Sequence, residues 1–84
     1  MKRALVTGGS GELGSAICRR LAAAHWHVIV HANANLARAG DIVADIVADG
    51  GSAEAIAFDV ADGDAAAAAM DGLLGGGTIQ AVVN

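Results

Sequence analysis

One stretch of this sequence is built to hold a charged ligand: Thr7-Gly8-Gly9-Ser10-Gly11-Glu12-Leu13-Gly14. Glycines at a strand-to-helix turn permit positive φ, let backbone N–H groups approach a phosphate, and let the following helix sit close to the sheet. The dipole at the helix start then favours the phosphate charge. The chemistry on offer is binding of a diphosphate by main-chain amides between Thr7 and Leu13. Other groupings offer less. His25 and His27 flank Trp26 with no evident third ligand, so no metal site is expected. Asp41, Asp45 and Asp49 recur at i, i+4 and i+8 opposite Ile42 and Ile46, the pattern of a solvated helix face. Cys18 stands alone in the chain. It can form no internal disulfide, and mid-helix it reads as a small packing residue. Trp26 suits either a partner's pocket or the bottom of a sheet.

The elements that must position the glycine turn are legible from periodicity. Apolar runs recur at Ala4-Leu5-Val6, Val28-Ile29-Val30, Ala55-Ile56-Ala57-Phe58 and Ile79-Gln80-Ala81-Val82-Val83. Between them, apolar residues take helical spacing: Leu13, Ile17, Leu21 and Ala24; Ile42, Val43, Ile46 and Val47; Ala66, Met70, Leu73 and Leu74. Asn35 and Asp62 are natural N-caps, and Gly50-Gly51 and Gly75-Gly76-Gly77 are expected to supply left-handed residues that end helices. The Ala65–Ala69 run reads as helix, because alanine is the best helix former. The order is β-α-β-α-β-α-β. Strands alternating with helices imply parallel pairing through right-handed crossovers. The expected fold is α/β, the N-terminal half of a doubly wound Rossmann fold, with a four-stranded parallel sheet in the order 3-2-1-4 and three helices. Residues 1–84 form one dinucleotide-binding domain. In that order strand 4 is an apolar edge, which proteins normally cover or pair, so the chain is expected to be the front of a longer protein or to recruit another surface.

These residues resemble the short-chain dehydrogenase/reductase family, and within it the 3-oxoacyl-[acyl-carrier-protein] reductases. The likeness rests on Ala4 to Gly14, Val28-Ile29-Val30-His31-Ala32-Asn33, Phe58-Asp59-Val60 and Ala81-Val82-Val83-Asn84. The family's usual loop is Thr-Gly-x-x-x-Gly-x-Gly, and Glu12 stands here at the middle glycine. Spaced as Thr-Gly-x-x-Gly-x-x-Gly, the loop fits the family's longer, epimerase-like branch. The resemblance implies a dinucleotide held by Thr7, Gly8, Gly9, Ser10, Gly11, Leu13 and Gly14. It makes Asp59, with Val60 beside it, the adenine-contacting pair, and Asn84 the first residue of a turn along the cofactor. The alternative for Asp59 is a strand-end turn residue or a helix cap. Glu12 is expected to face solvent, since turned inward it would repel a diphosphate.

Cofactor choice is set at the end of strand 2, where an acid binds the ribose of NAD and a base accommodates the extra phosphate of NADP. The stretch His31-Ala32-Asn33-Ala34-Asn35 holds no acid. NADP is expected, with NAD as the alternative. Asn33 and Arg38 are the expected contacts, Arg38 being the nearest cation that could reach back and His31 a weaker candidate. The resemblance also implies hydride transfer assisted by Ser, Tyr and Lys, but the chain has no tyrosine and its sole lysine is Lys2. No catalytic residue is assigned, and the 84 residues alone are expected to bind without turnover.

Charge and composition narrow the setting. All five basic residues precede position 39 and eight of the nine acids follow it, for a net charge of −4. That balance disfavours nucleic acid, which needs clustered cations. Apolar stretches fall short of a membrane span. The expected address is cytoplasmic, the full-length protein a homo-oligomer, and the substrate a small carbonyl or acyl-carrier-linked group. The alternative is a free-standing nucleotide-binding or assembly module without catalysis; a methyltransferase on the same fold is less well served, because its ligand also usually wants an acid after strand 2.

Overall fold

The structure, a computed structural model, describes every residue from Met1 to Asn84. Seven elements alternate: β1 (Arg3–Val6), α1 (Glu12–Ala23), β2 (His27–Ala32), α2 (Leu36–Ala48), β3 (Ser52–Ala57), α3 (Gly63–Leu74) and β4 (Ala81–Val83). All strand pairs are parallel, in the order β3-β2-β1-β4. The register aligns Leu5 with Ile29 and with Val82. No helix is long and apolar enough to cross a membrane.

Successive strand residues face opposite sides of the sheet, and the two sides carry different cores. On one, Val6, Val28, Val30 and Ala32 pack against Cys18 and Ala22 of α1 and Ala39, Ile42 and Ile46 of α2. On the other, Leu5 and Ile29 meet Leu73 of α3, flanked by Ile56, Met70 and Ile79. The first side is thus covered by two helices and the second by one alanine-rich helix with a single buried residue.

Helix ends follow local chemistry. Asn35 Oδ1 accepts the Arg38 N–H at 3.1 Å and Asp62 Oδ1 accepts the Ala65 N–H at 3.1 Å, as N-caps do. After α2, Gly50 takes φ +87°, and the N–H groups of Gly50 and Gly51 return to Val47 and Ile46 carbonyls. The ends of four elements differ from the sequence reading. Gly75 stays right-handed and, of the three glycines after α3, only Gly77 has positive φ. At the end of α1, His25 adopts φ +70° and does the work of a glycine, with the His25 and Trp26 N–H groups donating to Ala22 and Leu21 carbonyls. β3 starts at Ser52 rather than Ala55 and stops before Phe58, because six consecutive residues pair with β2 although the first three are not an apolar run. β4 is shorter than the apolar run Ile79–Val83, beginning at Ala81.

Candidate functional site

The site lies where β1 runs out. Thr7 continues the ladder: its N–H donates to the Val83 carbonyl at 2.9 Å, and its Oγ1 lies 3.1 Å from Val83 O and 3.0 Å from Asn84 Oδ1. The ends of β1 and β4 are thereby tied side by side, and the chain turns at Gly8 with φ +66°. This is the point where strand order reverses, with β2 on one side of β1 and β4 on the other. Ligands of open α/β sheets bind at such switch points.

Each glycine of the turn does a different job. A Cβ on Gly14 would sit 2.2 Å from the Gly8 carbonyl oxygen and 2.8 Å from Gly9 Cα, so α1 can start this close to the turn only without a side chain there. A Cβ on Gly9 would meet Val6 O at 2.9 Å and Cys18 Sγ and Val30 Cγ1 at 3.1 Å. Gly8 has open space but needs its positive φ. Gly11, the helix N-cap, is the least constrained, its added carbon meeting only Gly8 O at 3.4 Å.

The amide cup is narrower than the span from Thr7 to Leu13. Four of those N–H groups are consumed within the protein: Thr7 by Val83 O, Gly8 by His31 Nδ1 at 3.1 Å, Gly9 by Val6 O at 3.2 Å and Gly11 by Gly8 O at 3.1 Å. The amides of Ser10, Glu12, Leu13 and Gly14 have no partner in the chain, the last three being orphan donors of the first helical turn. Beside them opens a cavity of about 340 Å³ whose lining includes Thr7, Gly8, Gly11, Leu13, Gly14 and Asn84. Leu13 is 75% exposed, an apolar side chain left facing that space. Glu12 is exposed at the same rim. A smaller depression, about 120 Å³, between Arg19 and Asp49 lies away from all of these groups.

The remaining candidates gather at the ends of β2 and β3. Asn33 Oδ1 accepts the Val60 N–H at 3.0 Å, and Asp59 Oδ1 accepts the Ala61 N–H at 2.9 Å, so both side chains brace the turn that precedes α3. Val60 is 58% exposed. Arg38, from the first turn of α2, donates through Nε to the Ser10 carbonyl at 2.8 Å, which parks its guanidinium against the glycine turn. The reading of His31 as a phosphate contact does not survive. It is 2% exposed, Nδ1 is taken by Gly8, and Nε2 lies 2.8 Å from the Phe58 carbonyl. Its role as an internal brace left no mark in the sequence, because its two partners, Gly8 and Phe58, lie in the turns that follow β1 and β3.

Several of the other candidate residues have structural partners. His27 Nδ1 is 2.6 Å from Ser52 Oγ and its Nε2 3.5 Å from Glu54. Asp41, Asp45 and Asp49 are exposed, and Asp45 pairs with Arg19 at 3.2 Å with both side chains more than half exposed, a contact of little energetic weight. Cys18 is fully buried, and burial pushes its thiol up to about 11. Trp26 is half-buried against the two-helix core with Lys2 Nζ 5.5 Å above its ring, which places it at the bottom of the sheet.

Comparison with known proteins agrees with this geometry. The short chain dehydrogenase family matches residues 2–84. The chain is 43% identical over 86 residues to the uncharacterized oxidoreductase YuxG of Bacillus subtilis, covering 99% of this chain and 12% of that protein. It is 40% identical over 83 residues to the polyketide synthase GfsB of Streptomyces halstedii, covering 95% of this chain and 2% of that one. Among solved structures, a metagenomic short-chain oxidoreductase in complex with NADP superposes with a TM-score of 0.92 at 33% identity, over 96% of this chain and 37% of the other. The citronellol catabolism dehydrogenase AtuB of Pseudomonas aeruginosa gives 0.95 at 30% identity, over 99% and 35%. The chain therefore spans little more than a third of either solved neighbour's length. A glycine turn at the switch point of a parallel sheet, matched from residue 2 to residue 84, makes this chain a member of the short chain dehydrogenase family.

Proposed function

We propose that these residues are the dinucleotide-binding front of an oxidoreductase that moves hydride between NADP(H) and a carbonyl or alcohol, most like a 3-oxoacyl-[acyl-carrier-protein] reductase. The observation that carries the reading is the set of unpartnered amides at Glu12, Leu13 and Gly14, which line the cavity beside β4, with that of Ser10 free in the turn before them. Such a set, at a helix start, matches the donor pattern a diphosphate requires. The NADP complex of one neighbour supports the cofactor class. A second neighbour, the reductase LugOII, is described as catalysing keto-reduction and matches at 36% identity with a TM-score of 0.82, which supports the direction of the chemistry.

In this reading Thr7 and Asn84 border the nicotinamide half, and Asn33, Asp59 and Val60 the adenine half. Arg38 has its Nε committed to Ser10, leaving the terminal nitrogens for a 2′-phosphate, and this favours NADP over NAD. The bound cofactor supplies the hydride. No tyrosine and only Lys2 are present, so proton delivery to the carbonyl oxygen falls to groups outside these 84 residues. The full-length protein is proposed to be cytoplasmic and homo-oligomeric.

The test is titration of NADPH into the folded chain by calorimetry, with inorganic diphosphate as competitor. Saturable binding that diphosphate displaces is expected, without turnover of a ketone. A folded chain that binds neither NADPH nor NADH overturns the reading in favour of an assembly module.

A further inference from the structure

We infer that His31 is a positioning residue for the dinucleotide site, a clamp that decides which amides of the glycine turn face the ligand. The inference rests on the dinucleotide reading above and extends it to a residue that touches no ligand. His31 sits at the end of β2, 2% exposed, and reaches in two directions. Its Nδ1 lies 3.1 Å from the backbone nitrogen of Gly8, the left-handed residue on which the turn pivots. Its Nε2 lies 2.8 Å from the carbonyl oxygen of Phe58, one residue before Asp59, and its ring lies 4.2 Å from the Phe58 ring at a 49° tilt.

The chemistry of the partners assigns the protons. A backbone N–H can only donate, so Nδ1 carries no hydrogen and accepts from Gly8. A carbonyl can only accept, so Nε2 carries the hydrogen and donates to Phe58. One tautomer satisfies both bonds. With the Gly8 amide turned inward to the ring, the unpartnered donors of the turn are confined to Ser10 and the first turn of α1. The second bond, to the carbonyl just before Asp59, holds the imidazole in the orientation in which Nδ1 accepts from Gly8.

Two substitutions separate the bonds. In His31→Asn the amide oxygen stands near the Nδ1 position and retains an acceptor for Gly8; in His31→Gln the amide group reaches the Nε2 position and retains the Phe58 bond but leaves the Gly8 N–H unpaired. Calorimetric titration of NADPH, with denaturant melts of each variant, is expected to give His31→Asn a Kd within about threefold of wild type. His31→Gln is expected to bind roughly tenfold more weakly, the scale of one lost hydrogen bond. A purely structural role would make affinity follow stability in both variants alike, and that result overturns the inference. A ligand-free measurement stands beside it: the nitrogen–nitrogen coupling across the Gly8 N–H···Nδ1 hydrogen bond in uniformly nitrogen-labelled wild-type chain. Its presence supports the clamp, and its absence in a folded sample overturns it. Failure of wild type to bind NADPH while the coupling is seen overturns the dinucleotide reading and the positioning role that depends on it, leaving the hydrogen bond as structure.

Discussion

Gly14 and Gly11 look equivalent as letters in the loop, yet a methyl group separates them by more than an ångström of clearance. Gly14→Ala drives a carbon to 2.2 Å from Gly8 O, against 3.4 Å for Gly11→Ala. Gly14→Ala is expected to cost about 1–3 kcal/mol through overpacking, and Gly11→Ala under about 1 kcal/mol as an N-cap change, both read from urea melts. Arg38 governs cofactor preference: Arg38→Ala is expected to weaken NADPH about tenfold while leaving NADH within about twofold, the loss of one charge-assisted bond. An equal effect on both dinucleotides would place Arg38 in the loop's scaffold instead. Cys18 gives an alkaline signature. Burial disfavours the thiolate and pushes the folded thiol up to about 11 from its ordinary value of 9.0. Above pH 9 the unfolded chain releases that proton first, so stability is full below pH 9 and falls between 9 and 11 by about 1.4 kcal/mol per pH unit. Unfolding of wild type and Cys18→Ala at pH 8 and 10.5 isolates this loss, which should vanish in the variant.

The helices differ in what holds their ends. α2 and α3 have side-chain N-caps at Asn35 and Asp62, while α1 has none, its N-cap being Gly11. That absence leaves the first-turn amides of α1 open, and it puts helix stability and ligand binding in competition for the same donors. The other end of α1 is closed by His25 in a left-handed conformation that costs an L-residue roughly 1–2 kcal/mol. His25→Gly should therefore raise stability by up to about 1 kcal/mol after the entropy of the added glycine is offset, measured by the denaturation midpoint. A decrease would mean that the imidazole has contacts worth more than the strain. α3 is anchored mainly from outside itself: Arg3 Nη1 donates to the Leu73 carbonyl at 2.9 Å and to Gly77 O, and Nη2 meets Glu54 at 3.3 Å. One cation so closes the C-terminal end of a helix whose other face buries little, where the dipole favours positive charge.

Fifteen of 84 residues are buried, a small core even for this length, so a bound ligand contributes a large share of total stability. NADPH at a hundred times its Kd should add ~2.7 kcal/mol, a rise in Tm of about 10–20 °C for a domain this size. A folded chain whose Tm is unmoved by saturating NADPH would remove the cofactor from the account. The charge layout acts at the same level. All five cations precede position 39 and eight of the nine acids follow it, but the fold interleaves them, bringing Arg19 to Asp45 and Arg3 to Glu54. What remains near the glycine turn is Arg38, a single cation held by the Ser10 carbonyl, beside the exposed carboxylate of Glu12.

Strand and helix order, the glycine turn and both N-caps were legible in the residues, because apolar period, positive φ and capping are set by neighbours a few positions apart. The 3-2-1-4 order followed from them, since alternating strands and helices of these lengths leave few ways to cross over. Which amides stayed free was decided elsewhere. Gly8 loses its N–H to a histidine 23 residues on, and Ser10 lends its carbonyl to an arginine 28 residues on. The true start of β3 also depended on pairing, for Ser52-Ala53-Glu54 become strand through His27, Val28 and Ile29 across the ladder. Hydrogen bonds between strands and turns form only when register brings their partners to about 3 Å, and a one-dimensional pattern of residue types carries no such distances.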